Sequence, residues 1–482
     1  MKTKSLLSLV LGLASATSLM ATDVYITGST AFRSQVYNAC ARLYVNSKPT
    51  AIYYGTNSAV GGDTNLNSST AAWCMTGTAI SQLSKISDTL VIHALFNGSI
   101  QGIKAVTQEQ RLHFPSVGGN LIANSSTTGQ TPVAGVPLYG CTTFVDKRPT
   151  IGFSDSGNAA CPYQLTGNTL EEDVAVQPFV FCKSVGWGAA ALAVSNINNV
   201  SWEQLAYGIP QGRIPLSAWT YKNSDTNTFI YLLQRTKDSG TRRVETAMEY
   251  FQYGDIGTYI YDRTNNSWFL PSQTTLTATA FGASPNGVVG APGLVNIETG
   301  IPANLEWGYG YVGGGDIKAS LNLTNGNGAL VPSTANQAIA MLSLNDAKGV
   351  GASNWANVVS FNGIWPTTDG ANIRGHSGTN DFSPITAGYY SGWGKEVLVH
   401  IVDPTAMVNN DQAITADQIG DNTTAGSFLG VFNAQTLNNG GSPSVGSIEN
   451  EIELSKAGGA VAIRLSDMNT ERSSVGSVIS PK

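Results

Sequence analysis

The feature that most constrains the fold is a strand-like run that stops at glycine and hydroxyl residues and continues as a helix. Its first copy is the apolar run 24–27, followed by Gly28, Ser29 and Thr30. From Ala31 onward, apolar residues recur at spacings of three and four, which is the periodicity of one helix face. A chain that alternates strands and helices in this way favours a layered α/β architecture.

The same order of residue types occurs twice more along the chain. Residues 89–96 form a β-rich apolar run, residues 97–99 read Asn-Gly-Ser, and residues 103–106 fit a helix. The third copy begins with the apolar run 229–233, reaches Asp-Ser-Gly-Thr at 238–241 and continues into an amphipathic helix. Strands that are followed by helices predict an α/β fold with mixed, mainly parallel sheets.

The length of the chain predicts more than one folding unit. A chain of 482 residues is too long for one minimal core, so we expect two lobes or two domains. Asn, Gly, Thr and Pro dominate about 254–333, which predicts a loop-rich insertion. Strand character returns at 396–402, and residues 449–457 fit a helix.

The first 21 residues resemble a secretory signal peptide. Lys2 and Lys4 precede an apolar run at 6–13, and small residues follow at 14–21. That run is too short to span a bilayer, which takes about 20 apolar residues. We expect cleavage after Ala21 and a mature protein that is soluble outside the cytoplasm, in the periplasm or secreted. No cysteine follows the cleavage zone, which argues against a lipid anchor.

The composition is that of a folded protein with no basic face. Hydrophobic residues make up 42% of the chain and charged residues only 12%, with a formal net charge of -6. That charge argues against a nucleic-acid partner, although local backbone donors still allow an acidic protein to bind anions.

The cysteines and histidines do not have the spacing of a metal site. The five cysteines include no CxxC pair, and the four histidines are scattered, so we expect neither a metal nor a cofactor. In an oxidising compartment some cysteines should pair, and Cys141 with Cys161 is the simplest expectation by sequence distance.

The strand-to-helix junctions are candidate anion sites. The first amides of a helix have no intrahelical partner, and the helix dipole adds partial positive charge there. Gly28, Gly98 and Gly240 let the backbone approach a ligand closely. Further hydroxyl donors come from Ser29, Thr30, Ser99, Ser239 and Thr241. The alternative is that these hydroxyls only cap their helices.

Two charged residues stand near such junctions. Arg235 follows the third strand-like run, and its planar guanidinium can hold two oxygens of an oxyanion or form a structural ion pair. Of its neighbours Arg242 and Arg243, one is expected to face solvent. Asp155 follows the run 150–153 and can accept a proton that phosphate carries and sulfate lacks, or it can form an Asx turn.

These segments resemble the phosphate ABC-transporter substrate-binding proteins, in the order of that family. Each motif is short. Arg235 with SGT at 239–241 resembles the family signature R-x-D-x-S-G-T. The other matching segments are GSTAF at 28–32, GSIQGIK at 98–104, FSD at 153–155, NINNVSWEQLAY at 196–207, AIAMLSLNDAK at 338–348, FNGIWPT at 361–367 and PIT at 384–386.

The resemblance implies a two-lobed periplasmic binding protein-like (type II) fold with a hinge and ligand in the cleft. Lobe 1 would span 22–164 and 383–482, and lobe 2 would span 165–382 with the insertion. Phosphate would be held by Ser29, Thr30, Phe32, Ser99, Ser239, Gly240 and Thr241, with Arg235 neutralising charge and Asp155 accepting the ligand proton. The implied partner is an ABC permease in the inner membrane, and the implied state is a monomer.

The sequence departs from the family at two places. The signature Asp falls on Lys237, with Asp238 one place later, which opens the ligand to sulfate, a phosphonate or an organic phosphate. The insertion at about 254–333 also makes the chain longer than the family pattern.

Two other classes of function compete with solute binding. An enzyme is disfavoured because there is no G-x-S-x-G elbow and no recognisable histidine triad or paired-histidine motif. A secreted or surface interaction protein with the same fold, and without phosphate transport, remains the alternative. Oxyanion binding and a neighbouring permease would separate the two.

Overall fold

One large mixed β-sheet organises the chain in a computed structural model. The structure describes residues 21–55, 72–122, 133, 135–185, 197–235, 239–248, 260–262, 267–269, 314–322, 338–351, 357–367, 381–407, 414–434, 446–455, 462–472 and 479–481. The signal-peptide prediction for 1–21 therefore lies almost wholly outside the described residues. No helix in these ranges is long and apolar enough to cross a membrane.

The described strands have the following bounds: β1 Thr22–Gly28, β2 Ala51–Tyr54, β3 Ala72–Thr78, β4 Thr89–Leu95, β5 Leu112–Pro115, β6 Gly119–Leu121, β7 Leu138–Cys141, β8 Phe144–Lys147, β9 Ile151–Ser154, β10 Thr169–Lys183, β11 Asn199–Val200, β12 Arg213–Pro215, β13 Phe229–Leu233, β14 Ile260–Asp262, β15 Ser267–Phe269, β16 Ala338–Ser343, β17 Val358–Phe361, β18 Trp393–Ile401, β19 Thr470–Glu471 and β20 Ser480–Pro481.

The described α-helices have the following bounds: α1 Arg33–Arg42, α2 Ser99–Thr107, α3 Trp202–Gly208, α4 Ser217–Thr220, α5 Gly240–Met248, α6 Gly314–Leu321, α7 Leu344–Ala347, α8 Ser383–Thr386, α9 Ala416–Ile419, α10 Phe428–Phe432 and α11 Ile448–Ser455. The helices predicted after Gly28, Asn97 and Asp238 are confirmed as α1, α2 and α5. The strand and helix predicted near the C-terminus are confirmed as β18 and α11.

The main sheet has the strand order β12-β13-β16-β10-β18-β9-β1-β4-β3-β2-β7-β6, with β17 and β11 attached beside β10. The predicted α/β fold with a mixed sheet is confirmed. The expectation of mainly parallel pairing is wrong for the described strands, because eight pairs in this sheet are antiparallel and five are parallel. Four of these antiparallel pairs involve β10 or β18, and the other four are β12–β13, β2–β3, β3–β4 and β6–β7.

Two long strands join the two halves of the sheet. β10 pairs with β18 from Thr169 to Pro178 and then with β16 from Phe179 to Lys183. β18 also pairs with β9, so it connects this pair to the β9-β1-β4 half. The two strands are therefore shared by both halves.

Each half of the sheet has its own hydrophobic cluster. The cluster on the β1 half includes Val36, Ile92 and Phe428, and the cluster on the β16 half includes Phe181, Leu232 and Met341. Residues of α8 and Ile463 pack into the second cluster. Central strands such as β1 and β16 are buried along almost their whole length, as expected for strands covered on both faces.

The region predicted to be a loop-rich insertion contains a core element. Its described residues include the hairpin β14-β15 and helix α6, and Ile317 and Leu321 of α6 are fully buried in the second cluster. This part of 254–333 is therefore not a surface loop. The low density of apolar residues around it concealed the helix in the sequence.

The expected Cys141–Cys161 disulfide is not formed, and none of the five cysteines is in a disulfide. Cys161 is buried beside residues of α2, whereas Cys141 ends β7 and its thiol donates to the Thr143 carbonyl. Sequence distance is a poor guide here because Cys141 ends β7, whereas Cys161 lies outside the sheet, between β9 and β10. Burial raises the pKa of the Cys40 and Cys74 thiols well above their ordinary value, so these two are held in the neutral form.

Candidate functional site

The loops after β1, β4 and β9 meet at one edge of the sheet. These strands are parallel neighbours, with Thr27 opposite Leu95 and Gly28 opposite Phe153. The carboxyl ends of parallel strands lie at the same edge, where open α/β sheets bind ligands. Helices α1 and α2 begin there, and Asp155 follows β9 directly.

Glycine is required where these loops touch. Gly28 has a φ of +120°, and a Cβ at this position would overlap the Phe153 carbonyl. The Gly98 amide donates to the Gly28 carbonyl at 2.9 Å, and a Cβ on Gly102 would lie 2.6 Å from the Gly28 Cα. The two helix starts can approach each other only because these side chains are absent.

Ser29 and Phe32 are held within the first loop. The Ser29 amide donates to the Phe153 carbonyl at 2.9 Å, and the Ser29 hydroxyl accepts the Phe32 amide at 3.3 Å. The Phe32 ring packs in the core with its centroid 6.0 Å from that of Phe153. The Ser29 hydroxyl therefore holds the loop that leads into α1, although α1 itself has no side-chain cap hydrogen bond.

Asp155 is at the centre of the candidate site. Its side chain is 1% exposed, and one carboxylate oxygen accepts a short hydrogen bond from the Ser99 hydroxyl. Burial raises the pKa of Asp155 above its ordinary value, although the Ser99 hydroxyl and then the Arg235 charge lower it in part. The carboxylate therefore faces both the start of α2 and a permanent cation.

Helix α5 begins directly against this carboxylate. A Cβ on Gly240 would overlap the Asp155 carboxylate and would lie 2.7 Å from the Ser99 hydroxyl oxygen. Ser239 caps α5, since its hydroxyl accepts the Arg242 amide at 3.4 Å, and Thr241 is buried in the first turn. In this structure the Asp155 carboxylate lies at the positive end of α5, where an anion would bind.

Arg235 lies between the candidate site and a set of buried polar side chains near β13, which includes Arg242 and Glu245. Its side chain is 5% exposed, and its Nη2 donates to the Thr30 hydroxyl at 3.5 Å, which is a weak bond. The Arg242 guanidinium donates to the Arg235 carbonyl at 3.0 Å. The expectation that Arg242 or Arg243 faces solvent is wrong, because they are only 0% and 7% exposed.

Glu245 adds a buried carboxyl to this group. Gln234 Nε2 donates to Glu245 Oε1 at 3.1 Å. Burial raises the pKa of Glu245 to about 7, although Gln234 and Arg242 lower it in part. Lys237 and Asp238, at the departure from the family signature, lie outside the described residues.

Glu396 is a site residue that the sequence reasoning missed. It lies on β18, is completely buried, and is close enough to Asp155 for that charge to raise its pKa further. The one available signal was an acidic residue inside an apolar strand, because Glu is almost never fully buried without a functional or structural reason.

The structure brings most of the predicted site residues together. Ser29, Ser99, Asp155 and Gly240 form one buried cluster, and Arg235 contacts Thr30 beside it. Phe32 stands directly before α1 with its ring in the core, Ser239 caps α5, and Thr241 is buried nearby. In the described part of the chain, no group of three or more His, Cys, Asp or Glu side chains could hold a metal ion.

Comparisons with known proteins find similarity only among solved structures. No family model and no curated protein matches the chain. A phosphate ABC transporter substrate-binding protein with bound phosphate from Clostridium perfringens is 11% identical over 81% of this chain and 89% of that one, with a TM-score of 0.36. An ABC-type phosphate transport receptor from Vibrio cholerae is 12% identical over 79% and 87%, with a TM-score of 0.35.

A phosphate-binding protein from Stenotrophomonas maltophilia is 12% identical over 89% of this chain and 97% of that one, with a TM-score of 0.26. Likeness at this level does not assign a function to the chain.

Proposed function

We propose that the chain is an extracytoplasmic solute-binding protein, not an enzyme, that captures phosphate or a related oxyanion between two lobes for ABC-transporter uptake. The observation that carries the proposal is the meeting of the α2 and α5 helix starts with Asp155 and Arg235. Backbone donors at helix starts and one guanidinium suit a small tetrahedral anion.

Asp155 supports a ligand that carries a proton. A carboxylate beside a fully ionised oxyanion is repulsive, whereas beside hydrogen phosphate it accepts a hydrogen bond. Sulfate has no proton to donate at neutral pH and would leave the Asp155 charge buried and unpaired. Phosphate is therefore the leading ligand.

Gly240 and Asp155 are in contact, so binding of a ligand between them must separate these two residues. A ligand can enter between them only if α5 moves away from Asp155, and β10 and β18 are the strands shared by both halves. We place a hinge in these strands, with lobe 1 at 22–164 and 383–482 and lobe 2 at 165–382. An inner-membrane ABC permease is the proposed partner of an exported monomer.

Calorimetric titration of the mature protein tests the proposal. The protein should be unfolded and refolded to remove bound ligand, then titrated with phosphate and with sulfate at low salt and two pH values. We expect saturable phosphate binding and at least tenfold weaker sulfate binding. Asp155→Asn should reduce the difference in affinity between phosphate and sulfate, because an amide does not repel sulfate.

The contact between Gly240 and Asp155 also favours a second candidate, a secreted or surface interaction protein that no longer transports phosphate. An internal carboxylate already lies at the α5 helix start, and Trp202, Tyr207 and Tyr221 are exposed on the other half of the sheet. If neither anion binds to the refolded protein, the solute-binding proposal is wrong and this candidate takes its place.

A further inference from the structure

Glu396 occupies a position in the sheet that leads to the candidate site. It lies opposite Ala175 on β10, and the next residue, Val397, lies opposite Ser154 at the end of β9. Two residues before it, a Cβ on Gly394 would lie 3.0 Å from Val244 of α5 and would overlap the Asp155 carbonyl. The Glu396 side chain is 0% exposed.

The carboxyl of Glu396 has no hydrogen-bond partner in the described part of the chain. Both of its oxygens are buried and lack a partner at full hydrogen-bond geometry, and the nearby Ser29 hydroxyl lowers the Glu396 pKa only in part. The adjacent cation, Lys395, is 2.6 Å from Asp173 and is used there. Burying an ionised carboxylate without partners is strongly unfavourable, so the neutral acid is favoured.

Burial and the charge of Asp155 both favour the neutral form of Glu396. Burial first, and then the charge of Asp155, raise the pKa of Glu396 well above its ordinary range. Arg235 acts on Asp155, while Arg242 and Glu245 of α5 interact with each other on the β13 side. Glu172 of β10 is engaged with His400 and Asn433.

We propose that Glu396 is a further ligand-contacting residue, which enters the site as a neutral carboxylic acid and donates its proton in a hydrogen bond to the bound oxyanion. The proposal rests on the proposed function. Asp155 would accept from a protonated ligand oxygen, while Glu396 would donate to an unprotonated one. Together they select a tetrahedral oxyanion with both kinds of oxygen, such as hydrogen phosphate, hydrogen arsenate or a phosphonate monoanion.

Two substitutions with opposite hydrogen-bonding properties test this role. Glu396→Gln keeps a neutral donor of nearly the same shape, and Glu396→Leu fills the space without any polar group. At pH 7 we expect Glu396→Gln to bind inorganic phosphate within about threefold of the wild type. We expect Glu396→Leu to bind at least about tenfold more weakly, the loss that one hydrogen bond to a charged group produces.

Glu172→Gln is the matched control because Glu172 is also a buried carboxyl of the β10–β18 pair. Its oxygens are hydrogen-bonded to the Asn422 amide and to the Asn433 side chain, away from Asp155. We expect its phosphate affinity to equal that of the wild type. Denaturant unfolding of each variant would verify that any loss of binding comes from a folded protein.

Infrared spectroscopy gives a readout that is independent of binding. At pH 7 the wild-type protein should show a protonated-carboxyl C=O band that is weaker in Glu396→Gln and unchanged in Glu172→Gln, with the remaining intensity coming from Glu245, whose pKa is about 7. The proposal is wrong if wild type and Glu396→Leu bind phosphate equally, or if Glu396→Gln loses binding as Glu396→Leu does. Failure of the wild type to bind any oxyanion would instead overturn the proposed function, and this role with it.

Discussion

At the scale of single residues, the site depends on side chains that are absent or uncharged. Gly240 allows α5 to begin against Asp155, and Gly28 allows α1 to begin against Phe153. Glu396 is tolerated because its neutral form avoids a second negative charge beside Asp155. Each of these properties can be tested by one substitution with a matched control.

Gly240→Ala should be strongly destabilising. The added methyl overlaps the Asp155 carboxylate, so α5 must shift from the site at a cost of about 1–3 kcal/mol. Gly315→Ala is the control because its Cβ would meet nothing within 4 Å. Urea unfolding should show a loss for Gly240→Ala and no loss for Gly315→Ala. Equal stability of the two variants would contradict the contact.

Glu396→Gln should change how stability depends on pH. The folded pKa is raised above the ordinary 4.5, so the folded state keeps a proton that the unfolded state releases above that pH. Wild-type stability should therefore fall as pH rises from about 4.5 towards the folded pKa, and the variant should not share this fall. We expect Glu396→Gln to be the more stable protein at pH 8 and not near pH 4.

In the same unfolding experiment, Glu172→Gln should change the stability at pH 8 in the opposite direction. Burial alone would raise the pKa of Glu172, but the nearby His400 ring and the hydrogen bonds from Asn433 and the Asn422 amide lower it below its ordinary value. Its stabilising effect is present above the ordinary pKa and is lost as pH falls, so Glu172→Gln should be less stable than wild type at pH 8. If both variants were more stable than the wild type at pH 8, or both less stable, this assignment of charge states would be wrong.

At the scale of elements, the helix starts could be predicted from sequence and their surroundings could not. Glycine and hydroxyl residues between an apolar run and a 3.6-residue period fixed α1, α2 and α5 locally. The burial of Arg242 and Glu396 depends on β13 and β18 packing against elements far away in sequence. The burial of Ile317 could not be predicted from sequence either, because α6 is helical in a region whose composition suggested loops.

Ser239→Ala tests whether the α5 helix start binds the anion or is only capped. Loss of the cap should cost about 1 kcal/mol of stability. Ser427→Ala removes the cap of α10, where the Ser427 hydroxyl accepts the Gly430 amide at 3.0 Å, and should cost a similar amount. In calorimetry only Ser239→Ala should weaken phosphate binding. Equal affinities would leave Ser239 with the capping role alone.

At the scale of the whole molecule, the continuous sheet joins two separate hydrophobic clusters. β10 and β18 contribute residues to both clusters, so neither cluster can be exposed without disturbing the shared strands. A binding protein with this arrangement can open in the cleft while its two halves remain one unit of stability.

Thermal unfolding should therefore be a single cooperative transition. Trp73 lies in the first cluster and Trp393 in the second, so single-tryptophan variants can report on each half by fluorescence. We expect the two midpoints to coincide with each other and with far-UV circular dichroism. Separate midpoints would show that the shared strands do not couple the halves. Phosphate should raise both midpoints together.

Under the proposed function, the contact between Asp155 and the start of α5 makes ligand capture an exchange of anions at that helix end. The bound anion takes the place of the Asp155 carboxylate at the start of α5, and Asp155 stays beside it as the acceptor of the ligand proton. The measured affinity is then a difference between two anions competing for one set of donors. Added salt screens the ligand and the Asp155 carboxylate alike. The phosphate affinity should therefore depend less on ionic strength than it would if binding were a simple attraction between opposite charges.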